Sequence, residues 1–277
     1  MSVIAIYRQL MSLGCGKLGN HMLRAHYIAS FLGLVFSLSL ITPCEGQDGA
    51  SLFHQMQRVL GGKAKIAAIN RFEQCVRAEA WDETGKSHGV VYKRTRWTKP
   101  TVLRLDQVGA GDTYVLFFNG VSGWEILPDK GLVELTGDEL AFAEGYAKGV
   151  DINLWLADED INNLLASSKD HVISISSKGD PTHRTDITLN EKTLLPVSES
   201  SISLTDASHP VEMQKRQFED WKTFDGVKFP RRIINFHHGR KVADIQLLEL
   251  ELNAAMNLSD LSRRPENLKP QMSGCGN

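Results

Sequence analysis

Two adjacent histidines, His237 and His238, are the residue pair whose side-chain types come nearest to a metal site. They lie beside a predicted turn, but neighbouring residues of a strand point to opposite faces of a sheet. The two imidazoles therefore cannot bind one metal ion together. The remaining histidines are scattered along the chain, and we predict no metal site.

Three consecutive acidic residues, Asp158, Glu159 and Asp160, form a second cluster, which we interpret as the solvated face of a helix. No serine lies in a G-x-S-x-G motif, and neither H-E-x-x-H nor a phosphate-binding loop occurs. We therefore predict no catalytic residue and no cofactor. A hydrolase of the cell envelope stays as an alternative, because the absence of known motifs does not exclude a new active site.

The composition is that of a globular protein with a substantial core. The chain has 277 residues, of which 42% are hydrophobic and 23% are charged, and its formal net charge is −2. A nucleic-acid partner would require a basic stripe, so we predict none. The four cysteines, Cys15, Cys44, Cys75 and Cys275, have no metal-ligand spacing.

The first 46 residues have the pattern of a leader and signal peptide. Arg24 and His26 precede the apolar run Ile28–Ile41, which is too short for a membrane span of about 20 residues and suits a signal-peptide core. We predict cleavage after Gly46, export to the periplasm and a true start at Met22. An uncleaved anchor helix is the alternative, and Pro43 argues against lipid attachment at Cys44.

Hydrophobic periodicity predicts a helix at Ala50–Leu60, closed by Gly61-Gly62, and two helices in the middle of the chain, one from Thr136 and one over Asp151–Leu165. Between and after them the period changes to two, with turn residues at regular intervals. The predicted strands are Phe72–Trp81, Gly89–Trp97, Val102–Gln107, Tyr114–Asn119, Trp124–Leu127, His171–Ser177, Arg184–Asn190, Val197–Leu204 and Val211–Trp221.

The chain then closes with an antiparallel meander. Asp225-Gly226 predicts a reversal, and Pro230 suits the start or edge of a strand because it has no N–H. Ile233–His237 and Val242–Leu252 follow as strands. In the last strand, simple alternation places Val242, Leu248, Leu250 and Leu252 on one face and Ala243, Ile245 and Leu247 on the other.

These elements predict a mainly β (α+β) fold, built as an incomplete antiparallel β-barrel or a strongly curved sheet. We expect one domain over residues 47–255. Beyond it, residues 256–277 are polar and contain Pro265 and Pro270, which predicts an extended or disordered tail.

Three short motifs resemble the LolA-like superfamily: WTKPTVLR at Trp97–Arg104, FNGVSGWEILP at Phe118–Pro128, and FDGVKFP at Phe224–Pro230. The last resembles a phrase of the outer-membrane lipoprotein-sorting relatives. The resemblance spans about Ala50–Asn253. It implies a half-barrel closed by the N-terminal helix and a mid-chain helical lid around an apolar cavity.

The resemblance also implies a ligand, which is a lipid or an acylated lipoprotein. The carrier of this superfamily latches its lid with an arginine, and the matching position here is Lys99, whose point charge cannot replace a planar guanidinium. Candidate cavity residues are Leu103, Leu105, Phe117, Trp124, Trp155, Trp221 and Phe236. Each could instead be plain core, and Trp155, in the predicted lid, is the strongest candidate.

The resemblance leaves two further questions open. A non-enzymatic carrier is the favoured function, and a sensor of lipids or lipoproteins that acts through a membrane-bound partner protein is the alternative. After cleavage only Cys75 and Cys275 remain, and an oxidising compartment permits their pairing. A loose tail around Cys275 favours two free thiols.

Overall fold

The computed structural model describes residues 49–109, 112–152, 164–177, 179, 182–206 and 209–275. The helices in these ranges are α1 (Gly49–Leu60), α2 (Lys63–Ala67), α3 (Gly137–Ile152) and α4 (Leu258–Ser262). None of the helices in the described ranges combines the length and the apolar character that crossing a bilayer requires.

The strands form one sheet of 13 members. They are β1 (Arg71–Trp81), β2 (Ser87–Thr98), β3 (Val102–Gly109), β4 (Asp112–Phe118), β5 (Gly123–Leu127), β6 (Gly131–Glu134), β7 (Leu164–Lys169), β8 (Val172–Ser177), β9 (His183–Leu189), β10 (Pro196–Ser203), β11 (Val211–Phe224), β12 (Val227–His237) and β13 (Arg240–Leu252).

All the pairings in the sheet are antiparallel, and its order is β6-β5-β4-β3-β2-β1-β13-β12-β11-β10-β9-β8-β7. The first six strands and the last seven each form a meander, and the pairing of β1 with β13 joins the two halves. The edge strands β6 and β7 are not paired with each other, so the sheet is an incomplete barrel. The predicted mainly β fold class is confirmed.

Most predicted elements are present. The structure adds the strands β6 and β7 and the short helix α4. Leu164 and Leu165 lie in β7, so the predicted helix over Asp151–Leu165 is wrong at its end. Asp151 and Ile152 close α3. Residues 153–163, which include Trp155 and the acidic cluster, lie outside the described residues, as does the leader.

The register defines two faces of the sheet. Paired residues on neighbouring strands point to the same side, and Phe72, Trp97, Leu103 and Phe118 form one such row across β1–β4. We call the side of this row the inner face, and the opposite side, which carries Cys75, the outer face.

Helix α1 crosses the inner face. A Cβ atom built on Gly49 would lie 2.5 Å from the Ser167 amide nitrogen, and one on Gly61 would lie 2.6 Å from the Gly226 carbonyl oxygen. The helix therefore runs from the edge strand β7 to the β11–β12 turn. Its apolar stripe shares one buried cluster with both halves of the sheet, and the cluster includes Leu52, Phe53, Met56, Leu60, Trp97, Leu103, Ile173, Ile187 and Phe218.

A β-bulge at Leu248 changes the predicted faces of β13. Cys75 pairs with Glu249 and Val76 pairs with Leu247, so Leu248 is the extra residue. Because a bulge shifts the alternation by one, Leu250 and Leu252 point to the same side as Ala243, Ile245 and Leu247. The predicted division into two faces is wrong, and Leu248 is 39% exposed.

Pro230 lies inside β12, where it pairs with Trp221 of β11. The pairing of β12 with β13 begins only at Arg232. The missing N–H of Pro230 therefore removes no bond from the β12–β13 ladder. The proline lies in the part of β12 that is paired with β11 but not with β13.

The C-terminal segment, residues 254–275, lies against the outer face, whereas the sequence predicts an extended or disordered tail over residues 256–277. We call it the strap. Its helix α4 buries Leu261 in a small apolar cluster with Phe117 and Trp124. Farther along, the Gln271 backbone N–H donates to Asp106 Oδ1 at 2.9 Å. Polar sequence did not prevent order here, because a few apolar and hydrogen-bonding residues attach the segment to the sheet.

The strap ends in a disulfide between Cys75 and Cys275. Both sulfurs are buried, and the expectation of two free thiols is wrong. The expectation depended on a loose tail, and the strap instead carries Cys275 back to β1, with a Cα–Cα distance of 5.5 Å to Cys75.

The strap also covers a buried ion cluster on the outer face. Asp106 accepts from Arg96 at 2.6 Å and from Arg104 at 2.9 Å. Arg104 also donates to the strap carbonyls of Leu261 and Arg263, at 3.0 Å and 2.8 Å. Every partner matters in such a cluster, because an unpaired buried charge is strongly destabilising.

Candidate functional site

The inner face of β2–β4 carries two of the predicted cavity residues. Leu103 and Leu105 lie two positions apart on β3, and both side chains are buried. Beside Leu103, the rings of Trp97 and Phe72 stack with centroids 5.5 Å apart. Leu103 and Leu105 therefore belong to the buried cluster of the inner face, and their contact with a ligand stays a prediction.

Phe117 and Trp124 lie on the outer face instead. They pair with each other across β4 and β5, and Phe117 pairs with Arg104 on β3. Their ring centroids are 5.6 Å apart, and Leu261 of the strap packs against them. The structure does not bring these two rings together with Leu103 and Leu105, and they have the position of outer-face core.

The two predicted aromatics of the second half of the sheet also separate. Trp221 packs against the inner cluster, and its indole N–H donates to the Pro196 carbonyl oxygen at 3.1 Å. Phe236 lies three positions after Ile233 on β12, so it points to the opposite side of the sheet from Ile233. Ile233 belongs to the inner cluster, and Phe236 therefore faces outward.

Lys99, the predicted latch, contacts the segment that follows α1. Its Nζ atom donates to the Ala67 carbonyl oxygen at 3.2 Å, and its backbone N–H donates to Asn70 at 2.8 Å. Ala67 is the last residue of α2, where unsatisfied carbonyl groups favour a cation. This contact attaches α2 to the sheet.

A row of polar side chains interrupts the apolar inner face. Lys93, Gln107 and Tyr114 are in register on β2, β3 and β4, and all three are buried. The Tyr114 hydroxyl donates to Glu125 Oε2, on the neighbouring strand β5, at 2.9 Å. Glu125 pairs with Leu116, so it lies in the next row. We call Lys93, Gln107 and Tyr114 the polar row.

Helix α3 covers the inner face beside the polar row. The Tyr146 hydroxyl hydrogen-bonds with Thr95, which lies two positions from Lys93 on the same side of β2. Burial raises the pKa of Tyr146 to about 12. The phenol is therefore neutral near pH 7 and keeps both donor and acceptor capacity.

Burial lowers the pKa of Lys93 to about 7. The cause is desolvation, because an apolar environment disfavours the charged ammonium form. Lys93 therefore gives the polar row a group whose positive charge depends on pH near neutrality.

Sequence reasoning missed the polar row, although one signal was present. Lys93 is in phase with Val91, Thr95 and Trp97, which places it on the side of the strand that faces the core. A lysine in that phase breaks the alternation that a half-buried strand requires. Such a break marks either a strand edge or a buried polar group with a role.

The histidine pair differs from its prediction in geometry. His238 has φ of 47° and lies in the turn, so the rings of His237 and His238 do not point to opposite faces and their centroids are 4.3 Å apart. Desolvation and then the nearby His238 lower the pKa of His237. Within the described part of the chain, no group of three or more metal-ligating side chains occurs.

Comparison with known proteins identifies the fold. No protein-family model matches the sequence, and no curated protein sequence is significantly similar to it. Among solved structures, a LolA superfamily protein from Nitrosomonas europaea matches 78% of this chain and 97% of its own, with 10% identity and a TM-score of 0.50. The chain therefore has a LolA-like fold.

A DUF1329 family protein from Desulfovibrio piger matches 77% of this chain and 97% of its own, with 11% identity and a TM-score of 0.49. At sequence identities this low, a structural likeness supports a shared fold only. The function has to be argued from the residues of this chain.

Proposed function

We propose that this chain is an exported, non-enzymatic binding protein that holds the acyl chain of a lipid or lipoprotein against its inner face. The observation that carries the proposal is the open sheet, which surrounds α1 and presents one apolar cluster drawn from both halves. In an open barrel with helices over its concave side, the helices can move away from the sheet and admit an apolar ligand.

We propose that Leu103, Leu105 and Trp221 contact such a chain, because each belongs to the inner cluster or packs against it. An acyl chain would enter this layer for the same reason that the side chains are buried. Each CH₂ group removed from water contributes about 0.8 kcal/mol. Affinity should then increase about fourfold for each added CH₂ until the available length is filled.

Two features support export to the periplasm. The apolar run Ile28–Ile41 has the length of a signal-peptide core. The disulfide between Cys75 and Cys275 is typical of an oxidising compartment. We propose that the mature chain begins near Gln47, and recovery of a tagged full-length chain in carbonate-resistant membranes would contradict this.

The binding proposal can be tested with the purified chain from Gln47. We expect native mass spectrometry after incubation with a lipid extract to detect acyl-chain adducts. Saturated fatty acids of increasing length should displace a bound fluorescent fatty acid with increasing affinity.

Leu105→Ala and Ile126→Ala form a matched pair for this experiment. Both side chains are buried on neighbouring parts of the same sheet, Leu105 on the inner face and Ile126 on the outer face. Each substitution should lower the free energy of unfolding by about 2–5 kcal/mol. Only Leu105→Ala should also change the affinity for the fatty acid, and equal effects of the two substitutions would contradict an inner-face site.

A further inference from the structure

We propose that one end of the molecule docks on an anionic membrane surface. The contact is made by five basic residues at the point where α1 and α2 meet the β11–β12 hairpin. We call this group the basic end, and its members are Arg58, Lys63, Lys65, Lys222 and Lys228. The inference goes beyond the proposed function, because it assigns a partner surface and not a ligand.

The basic end joins two segments that are distant in the sequence. A Cβ atom built on Gly61 would lie 2.6 Å from the Gly226 carbonyl oxygen, and one built on Gly226 would lie 2.7 Å from Lys65 Nζ. The end of α1 and the helix α2 therefore pack directly on the β11–β12 turn. The lysines of both segments lie on one end of the sheet for this reason.

Positive charge is concentrated at this end. Residues 58–65 and 222–230 contain five basic side chains and one acidic side chain, that of Asp225, although the whole chain has a formal net charge of −2. On β13, Glu249 and Glu251 pair with Cys75 and Glu73, so both point to the outer face. The basic end therefore has a local excess of positive charge.

The charges of the basic end are not neutralised by neighbouring side chains. Lys228 is half-buried, and the other four side chains are exposed. None of the five forms an ion pair with a carboxylate of the described residues. On the same two strands, Arg216 and Arg232 are paired, with Glu199 and Asp244. Unpaired cations held side by side create a positive potential that attracts an anionic surface.

An apolar margin accompanies these cations. Phe224 and Phe229 are only partly buried, pack against the inner cluster and have ring centroids 6.3 Å apart. Lys222 Nζ lies 5.7 Å from the centroid of the Phe224 ring. The inner cluster therefore reaches the protein surface beside the basic end. Aromatic rings and lysines with apolar stems are both suited to the boundary between water and a bilayer.

This combination favours a membrane over an acidic polypeptide or a nucleic acid. Anionic head groups above hydrocarbon match cations that surround an apolar margin, since binding to such an interface combines electrostatic attraction with apolar burial. An acidic polymer offers the charge without the hydrocarbon layer. A protein that holds acyl chains, as proposed above, also has to meet the bilayer in which those chains reside.

The test measures binding of the chain from Gln47 to vesicles by co-flotation in a density gradient. The vesicles contain phosphatidylcholine alone, or phosphatidylcholine and phosphatidylglycerol in equal amounts. Each Lys or Arg near an anionic surface should increase the affinity about fivefold, which is about 1 kcal/mol. We therefore expect at least about hundredfold stronger binding to the anionic vesicles at about 0.1 M salt. Raising the salt to about 1 M should remove the difference, because the Debye length falls from about 10 Å to about 3 Å.

A triple variant tests the assignment to the basic end. Lys63→Gln, Lys65→Gln and Lys222→Gln together should weaken binding to the anionic vesicles about hundredfold, in three steps of about fivefold. The three side chains are exposed and form no described ion pair, so the variant should keep the wild-type free energy of unfolding.

The matched control removes the same charge at the other end of the sheet. It combines Lys86→Gln in the β1–β2 turn, Lys130→Gln in the β5–β6 turn and Lys269→Gln in the strap, and all three lysines are exposed. Strand β1 has 11 residues and spans about 35 Å between the two ends. This distance exceeds the Debye length, so the control should change vesicle binding less than about threefold.

Each outcome bears on one part of the inference. Equal binding of the wild-type chain to the two kinds of vesicle would overturn the anionic surface, and equal losses in the two triple variants would overturn the assignment to the basic end. Binding to polyglutamate without binding to the anionic vesicles would identify an acidic polypeptide and overturn a membrane partner.

Displacement of a fluorescent fatty acid in solution separates this inference from the proposed function, because it requires no vesicle. Both triple variants should keep the fatty-acid affinity of the wild-type chain within about twofold. If the chain binds fatty acids but not the anionic vesicles, docking is overturned and acyl-chain binding stands. If it binds the anionic vesicles but no fatty acid, docking stands and the proposed function fails.

Discussion

Cys75 on β1 and Cys275 in the strap are separated by 200 residues and joined by a disulfide. Between β13 and this bond the strap packs Leu261 on the outer face and hydrogen-bonds Asp106 through Gln271. The two ends of the folded chain are therefore attached to the same sheet.

Removing the disulfide should destabilise the protein. A cross-link that closes a long loop restricts the unfolded chain, and its loss typically lowers the free energy of unfolding by about 2–5 kcal/mol. We expect Cys275→Ser to show a loss of this size in urea denaturation of the chain from Gln47. Without reductant, the wild-type chain should have no thiol that can be alkylated in urea. Urea curves that coincide for the two proteins would contradict the prediction.

Among the described contacts of the ion cluster under the strap, Asp106 is the only carboxylate. The stability of the cluster should therefore depend on Asp106. Asp106→Ala leaves Arg96 and Arg104 buried without this partner and should lower the free energy of unfolding by about 3–5 kcal/mol. Glu134→Ala, which breaks a surface ion pair with Arg264, is the control and should change it by at most about 1 kcal/mol. Similar losses of unfolding free energy in the two variants would contradict the prediction, because they would show that the buried ion cluster contributes no more than a surface ion pair.

The end of α1 requires a glycine at Gly61. Its φ is 134°, and an added Cβ would meet the Gly226 carbonyl oxygen at 2.6 Å. Gly61→Ala should therefore cost more than Gly62→Ala, because Gly62 also has a positive φ, of 92°, but a Cβ added there would meet no atom within 4 Å. We expect the difference in the free energy of unfolding to be about 1–3 kcal/mol, from the clash. Equal thermal stabilities would mean that the helix moves away from the β11–β12 turn at little cost.

Lys93 should make stability increase with pH above neutrality. Its pKa is about 7 in the folded protein, whereas the ordinary pKa of a solvated lysine side chain is 10.5. Between these values the unfolded chain binds more protons at this site than the folded chain does. The free energy of unfolding should therefore increase with pH, by up to about 1.4 kcal/mol per unit, and below pH 7 this contribution should be flat.

Urea denaturation at pH 7, 8 and 9 checks this prediction, with Lys93→Met as the variant in which the increase should disappear. The titratable groups on the same face of this part of the sheet are Tyr114, two strands from Lys93, and Glu125, three strands away. Tyr146 from α3 hydrogen-bonds with Thr95 on the strand of Lys93. The raised pKa of Tyr146 has the opposite effect, because stability is lost as the unfolded phenol ionises, but only above about pH 10. An equal rise in both proteins would assign the pH dependence to another group.

Local pattern was sufficient for the elements of this protein. The apolar stripe of α1 and the period-two alternation of β1–β5 and β9–β13 depend on neighbouring residues only, and the predicted elements agree with the observed ones apart from their ends. Motifs such as WTKPTVLR then indicated the LolA-like fold, because residues at turns and strand starts depend on the local backbone. Segments with weak patterns, such as β6 and Leu164–Leu165, were missed or assigned to the wrong element.

The face of each side chain depended on tertiary structure wherever alternation was interrupted. One bulge at Leu248 reverses the assignment of Leu250 and Leu252, and a bulge is set by the partner strand rather than by the sequence of its own strand. Phe117 and Trp124 alternate correctly, but only the strap shows that the outer face is buried as well. Aromatic residues on either face therefore look alike in the sequence.

The strap and the polar row show the same limit over longer distances. Nothing near Cys275 indicates Cys75, because the chain that connects them folds into the entire sheet first. Lys93, Gln107 and Tyr114 are ordinary polar residues within their own strands, and they become one buried row only when β2, β3 and β4 align. Sequence alone predicted most of the elements and the LolA-like fold, and it is the main basis of the export proposal. Tertiary structure decided which residues share a face, since strand register and chain crossing are set by contacts between distant segments.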